Sequence, residues 1–315
     1  MRALIGHSGF VGTNLKAAAA FDGLFNSRNI ADLAGRSFDL AVCAAAPATM
    51  WAANNDPAGD LAGIDALIAA ICGARIGRLV LISTIAVLDD AAAGYDETNA
   101  RFEAAKAYGR NRRHLEVRLA ARFPDIHILR LPALFGPGLK KNFLFDLINP
   151  VPSFLKPDKL ESLTGAMAPE AAALTRGLFE PDAALGMMRF ARDEARRTGA
   201  LPVLEAAFEA AGFTAPGFTN SESRFQYYGL HHLWGDIERA IALRLPVLHV
   251  SSAPLRAADI HAALTGRPFA NAAPPLYAED MHSRHAAAWG EAGPYLRSRE
   301  TTLAELKAFF DEARA

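Results

Sequence analysis

Residues Gly6–Gly12, GHSGFVG, follow the short apolar run Ala3–Ile5 and open FVGTNLKAAAAF (residues 10–21), a segment of helical composition. Two chemistries compete for this stretch. Ser8 nearly fits the sharp turn that exposes a nucleophilic serine, but that elbow needs glycine two residues to either side, and Phe10 stands where the second belongs. Nor is an oxyanion loop expected in the few residues ahead of Gly6. Read as GxxGxxG, the same residues describe a strand turning at Gly6, a backbone left open at Gly9 for phosphate, and close helix–strand packing at Gly12. The helix that follows aims its free N–H groups and positive dipole end at a pyrophosphate. Ser8, Phe10 and Val11 complete the expected dinucleotide contacts.

The pattern beyond the turn agrees. LAVCAAAP (40–47), DLAGIDALIAAICG (60–73), RLVLIS (78–83), ARFEAAKAYGRNRRHLEVRLAARF (100–123) and IHILRLP (126–132) alternate strand and helix. That rhythm predicts an α/β fold: a Rossmann-type, doubly wound parallel sheet with right-handed crossovers. The dinucleotide-binding domain is expected over 1–138. Residues 139–315 are expected to form a smaller, mostly helical C-terminal substrate lobe, returning to the first domain over about 225–265. Within it, residues 173–199 and 201–213 read as helices closed by Gly199 and Gly212, without regular strands. LPVLHVSS (245–252) reads as a strand and residues 302–315 as an amphipathic final helix.

Composition narrows the partners. With 33 Lys and Arg against 34 Asp and Glu, mixed along the chain, there is no basic footprint for a nucleic acid. The two cysteines, Cys43 and Cys72, have neither disulfide nor metal spacing and read as small hydrophobes in a reducing compartment. The N-terminal apolar stretch is broken by Gly6, His7, Ser8, Asn14 and Lys16, so it does not read as a secretory signal, and no run is long enough to span a membrane. A cytoplasmic enzyme with a small-molecule substrate is the expectation.

An acid at the end of the second strand would favour NAD, a base NADP. LFNSRNI (24–30) offers Ser27, Arg28 and Asn29 and no acid, so NADP is expected over NAD, with Arg28 on the 2′-phosphate; an ordinary exposed loop arginine is the alternative. Further on, the fourth strand ends in Ser83 and Thr84, and Tyr108 and Arg112 stand four apart on a helix. That spacing puts phenol and guanidinium on one face. A free phenol titrates near pH 10, and bringing it to neutrality takes about 4 kcal/mol, within reach of a close cation plus an oxidised nicotinamide. Thr84 would orient the substrate oxygen while Tyr108 moves its proton.

GHSGFVGTNL (6–15), CAAAP (43–47), LISTIAV (81–87), the tyrosine helix and LRLPALFGPG (129–138) together resemble the extended short-chain dehydrogenases/reductases, the epimerase/dehydratase group acting on nucleotide sugars. The resemblance covers about the first 140 residues clearly and RFQYYGLHHLWGDIERAI (224–241) more faintly. It implies Thr84, Tyr108 and Arg112 as the catalytic set. It also implies Ala44, Ala45, Ala46, Ser83, Leu131, Pro132 and Ala133, with Tyr108 and Arg112, along the cofactor. Two departures stand out. The family pattern is YxxxK, and Arg112 occupies the lysine position; arginine keeps the charge but effectively never deprotonates, so a proton relay through it is lost. Asp60 stands near the place of the family's helix asparagine.

A nucleotide sugar carries a diphosphate, and Lys140, Lys141, Asn142 and Arg224 are the expected contacts, along with Thr84 at the reacting oxygen. The alternative for the first three is a solvated lysine pair with Asn142 capping a helix. Aromatics in 224–234 fit a stacked base or, more commonly, core. No metal site is expected: His231 and His232 should diverge on a helix, and His282 and His285 show no clear carboxylate partner. The expected activity is an NAD(P)-dependent reductase, epimerase or dehydratase acting at a keto or hydroxyl carbon of a nucleotide sugar. The substitution at Arg112 leaves open a catalytically weak NADP-binding protein acting as sensor or interaction module. Apolar helix faces permit a homodimer.

Overall fold

The computed structural model describes residues 1–183 and 185–314. Six strands form one parallel sheet: β1 (Arg2–Ile5), β2 (Gly23–Phe25), β3 (Ser37–Cys43), β4 (Arg75–Thr84), β5 (Ile126–Leu131) and, after the short β6 (Ala133–Phe135) and β7 (Tyr227–Gly229), β8 (Val247–His249). Their order is β8-β5-β4-β3-β1-β2, and every neighbouring pair is parallel. The order reverses direction beside β1, which leaves a crevice at the carboxyl ends of the strands, where such sheets bind ligands. β6 and β7 pair in parallel outside this sheet.

Alternation within β4 shows how the core is built. Leu79 and Leu81 pack with Ile64, Leu67, Leu115 and Leu119, whereas Val80 and Ile82 join Leu4, Leu15, Leu233 and Ile237 on the other face. Helices α3 (Pro57–Cys72) and α4 (Ala107–Arg122), preceded by the short α2 (Met50–Asn55), therefore cover one side. Helices α1 (Phe10–Ala18) and α5 (Leu233–Ala242) cover the other. The sequence signals at α3 are direct: Asp56 accepts the Gly59 N–H at 3.0 Å as N-cap, with Pro57 at the first helical position. The last helix, α6, runs Arg299–Arg314. Cys43 is buried, Cys72 half-buried, and both are free thiols. Among the described residues no helix is long and apolar enough to cross a membrane.

The chain divides into two compact units, one made of Met1–Leu139, Arg224–Arg256 and Tyr277–Phe309, the other of Lys140–Ser223, Ala257–Leu276 and Phe310 onward. The second unit has its own core of Leu155, Leu163, Phe179, Phe190, Leu204 and Phe208. It corrects one expectation. Residues 173–199 are not continuously helical: a helix at Pro169–Leu178 gives way to an antiparallel pair, Phe179–Asp182 with Met187–Phe190, to which Phe154–Leu155 adds. Phe179 and Phe190 sit opposite one another and stack at 5.1 Å between ring centroids, a cross-strand contact that outweighs helical propensity here. Gly199 and Gly212 do close the flanking helices, at φ of 73° and 62°.

A second expectation is shortened. The helix over residues 100–123 begins only at Ala107, because the Glu103 carboxylate takes the amides of Ala105 and Lys106 at 2.8 and 3.0 Å and holds the preceding segment in a turn.

Candidate active site

The glycine turn is shaped by two contacts that only glycine permits. Gly6 has φ of 91°, and a Cβ there would lie 2.5 Å from the Ala44 carbonyl oxygen. A Cβ on Gly12 would lie 2.1 Å from the Gly6 oxygen, so its absence is what seats α1 against β1. Gly9 is different. Its φ and ψ of −79° and 172° suit any residue, and a Cβ would meet only the Gly6 oxygen at an ordinary 3.5 Å. Neither backbone conformation nor protein packing calls for glycine at this position. Gly9 is exposed, and no side chain caps the α1 N–H groups.

Asn26, which sequence reasoning passed over, ties the glycine turn to the loop after β2. Its side-chain amide reaches His7 Nε2 at 3.1 Å and Ser8 Oγ at 3.4 Å, and its Oδ1 accepts the Arg28 N–H at 2.9 Å. Its own N–H donates to Asn29 Oδ1 at 2.7 Å. Ser27 and Arg28 are exposed on this turn, at the same end of the sheet as Ser8 and Gly9. An asparagine that bonds the backbone two residues ahead is a turn former, and that was the available signal. Ala44, Ala45 and Ala46 leave β3 half-buried beside Gly6, with the Ala44 N–H on the Ile5 oxygen at 2.8 Å. Leu131 and Pro132 are buried and Ala133 half-buried where β5 passes into β6.

Thr84, Tyr108 and Arg112 do come together. A Cβ on Gly109 would lie 2.0 Å from the Ala86 oxygen, so glycine lets α4 press against the turn Ile85–Val87 that follows β4. Asn54 of α2 accepts the Tyr108 N–H at 3.0 Å. The Tyr108 hydroxyl meets that of Thr84, and the Arg112 guanidinium lies 4.1 Å over the phenol ring. Ser83, by contrast, gives its hydroxyl to Glu116 at 2.6 Å and is committed to the interior.

Arg112 is also not the free cation that its spacing promised. It is buried, paired to Asp60 at 2.5 Å, and donates to the Pro47 oxygen at 2.5 Å; Asn111 joins Asp60 at 2.8 Å. Its Nε is buried with no hydrogen-bond partner among the described residues. Burial raises the Tyr108 phenol, Arg112 and Thr84 lower it, and Asp60 raises it again, leaving it above its ordinary value. The expected phenolate stabilisation is therefore offset first by burial and then by the Asp60 carboxylate. Asp60→Asn keeps a carbonyl for the guanidinium and removes the charge, so the Tyr108 phenol is expected to titrate at lower pH. Near-ultraviolet phenolate absorbance, referenced to Tyr108→Phe, measures this; an unchanged titration would show that Asp60 does not act on the phenol.

The remaining candidates divide between the units. Arg224 belongs to the first, exposed on a two-residue strand paired with Leu255–Arg256. Lys140, Lys141 and Asn142 belong to the second; both lysines are exposed, and Asn142 caps the helix Phe143–Ile148 by accepting the Phe145 N–H at 3.0 Å. Tyr227 and Tyr228 are core residues, each 1% exposed. Two histidine expectations need correction. His231 and His232 lie in a 3-10 turn, not a helix, with ring centroids 3.9 Å apart, and His282 does have a carboxylate partner, Asp280 at 3.1 Å.

No protein-family model and no curated protein matches the sequence. Solved structures do match the fold over essentially the full chain. A dTDP-4-dehydrorhamnose reductase from Yersinia enterocolitica is 15% identical at a TM-score of 0.61, covering 98% of this chain and 99% of that one. The Bacillus anthracis dTDP-4-dehydrorhamnose reductase, solved with NADP, is 15% identical at 0.59, covering 99% and 98%. A UDP-glucose 4-epimerase from Thermotoga maritima, solved with UDP-glucose, is 14% identical at 0.57, covering 100% of each. The α/β fold that the sequence resemblance implied is the fold observed.

Proposed function

We propose that this chain is an extended short-chain dehydrogenase/reductase that binds NADP, or less readily NAD, and acts on a keto or hydroxyl carbon of a nucleotide sugar. The observation that carries the reading is Gly9: a glycine that neither backbone conformation nor packing requires, exposed where uncapped helix amides point outward. The fold shared with reductases and an epimerase of nucleotide sugars supports the substrate class.

In this reading the backbone of Ser8 to Gly12 holds the pyrophosphate, and Arg28 meets the 2′-phosphate. The bound dinucleotide supplies or accepts the hydride. Thr84 holds the reacting oxygen by hydrogen bond while Tyr108 gives or takes its proton. Arg112 positions the phenol, and its unpartnered Nε supports a role towards the nicotinamide ribose. The second unit is read as the substrate lobe, with Lys140 and Lys141 on the diphosphate.

Calorimetric titration with NADPH, NADP, NADH and NAD tests the first step. Arg28→Ala removes an exposed side chain and should weaken NADPH by about 10- to 150-fold, the 1.5–3 kcal/mol of a charged hydrogen bond, while leaving NADH unchanged. Equal loss for both would remove Arg28 from the 2′-phosphate, and binding of no dinucleotide would end the enzymatic reading. The Asp60–Arg112 pair favours a second reading, a protein that binds the cofactor with little turnover. Robust turnover at neutral pH would exclude it.

A further inference from the structure

We propose that His231, His232 and Glu305 form a binding site for a first-row divalent transition metal, of which Zn²⁺ is the natural probe. The two histidines occupy the 3-10 turn Leu230–His232 between β7 and α5, and Glu305 faces them from α6. Glu305 Oε1 lies 2.8 Å from His232 Nε2 and 3.9 Å from His231 Nε2, and one donor atom from each of the three residues falls within 4.8 Å of the others. Around a tetrahedral zinc with bonds near 2.0–2.1 Å, donors stand about 3.3 Å apart. Those separations straddle that spacing, so modest side-chain rotation closes the site.

The backbone beneath one of the ligands carries no side chain. Gly229 has an ordinary φ of −76°, so its conformation does not call for glycine. A Cβ there would instead strike His231 Cε1 at 2.5 Å and Nδ1 at 2.8 Å. The imidazole folds back over this glycine, where the Phe135 ring meets it edge-on at 6.4 Å. The neighbouring cation Arg297 is paired to Asp236 at 2.8 Å.

Two imidazoles and one carboxylate are borderline nitrogen and oxygen donors, a set that suits Zn²⁺, Ni²⁺, Co²⁺ or Cu²⁺ better than Mg²⁺ or Ca²⁺. Three protein ligands leave at least one position for water, and His231, 58% exposed, gives the ion a path in. On binding, His232 Nε2 turns its lone pair to the ion, its proton moves to Nδ1, and the hydrogen bond to Glu305 is replaced by two metal bonds. The ion would then clamp α6 to the turn after β7.

Tag-free, chelator-treated full-length protein is titrated with Zn²⁺ by calorimetry and with Co²⁺ by visible absorbance. One equivalent should bind at micromolar or lower concentration, with tetrahedral cobalt bands. His231→Asn and Glu305→Gln should each weaken Zn²⁺ by at least about 100-fold, the upper end of what loss of even an outer-shell partner costs. His282→Asn should bind as the wild type does. All variants should melt alike without metal, and only the wild type and His282→Asn should melt higher with it. Binding only at millimolar Zn²⁺, or binding that survives both substitutions, overturns the site.

Discussion

Tyr108→Phe is expected to lower turnover by about 10²- to 10⁴-fold, the contribution of a positioned general acid or base, while NADPH binds as before. The substitution is clean because the ring, not the hydroxyl, carries the packing. Phenylalanine keeps the face that lies 4.1 Å beneath the Arg112 guanidinium, and the main-chain bond to Asn54 is untouched. What goes is the hydroxyl that meets Thr84, and with it the proton that the proposed reaction assigns to Tyr108. Arg112 cannot replace it, since a guanidinium held by Asp60 and the Pro47 oxygen does not give up its proton. A panel of keto- and hydroxyl-bearing nucleotide sugars, followed by nicotinamide absorbance, reads turnover, and calorimetry reads binding. Turnover retained in the variant would mean that the proton comes from elsewhere and that Tyr108 only packs.

The parts of this site that could be read in the sequence are those set by contacts a few residues long. Gly6 and Gly12 are a steric pair inside one turn, and Tyr108 and Arg112 are one helical turn apart, so spacing alone brings each pair together. The continuous apolar run Leu79–Ile82 of β4 likewise announces a strand buried on both faces. What escaped notice depends on partners far along the chain. Asp60 reaches Arg112 across 52 positions and changes what the arginine does to the phenol. Phe179 and Phe190 define a strand pair only once they face each other. His231 and His232 bring their rings to 3.9 Å although neighbours in a 3-10 turn stand about 120° apart, so side-chain rotation, which spacing does not specify, is what joins them. Glu116 is the sharpest case. It stands on a highly charged helix, where a carboxylate is ordinarily solvated, yet it is fully buried.

That burial makes Arg130→Met the substitution with the largest expected cost to stability, about 3–5 kcal/mol at neutral pH, because it leaves an ionised carboxylate without its main partner. Arg130, 2% exposed in β5, donates to both Glu116 oxygens at 3.0 and 2.7 Å and reaches His249 Nε2 of β8 at 3.0 Å. Ser83 of β4 and Arg113 of α4 complete the shell around Glu116 at 2.6 and 2.7 Å. Glu97 extends it by accepting the His249 N–H at 2.8 Å and the Ser283 hydroxyl at 2.6 Å. Three strands and a helix thus meet on one set of charges directly behind Thr84. Burial works to raise the Glu116 carboxyl, but Arg130, Ser83 and Arg113 outweigh it and hold the group below its ordinary value. A carboxyl depressed in the folded state contributes stability above its unfolded value, about pH 4.3, and that contribution is lost as pH falls through the folded value. In Arg130→Met the folded value rises instead, so Glu116 takes up a proton and the penalty should shrink as pH falls from that raised value towards about pH 4.3. Replacing both partners, Glu116→Leu with Arg130→Met, should recover most of the loss at neutral pH, since apolar residues of similar size remove the orphaned charge. Urea unfolding of the single and double variants at neutral and acid pH separates these terms. A single-variant cost that is the same at both pH values would show lost packing, not an unpaired carboxylate, to be what Arg130 prevents.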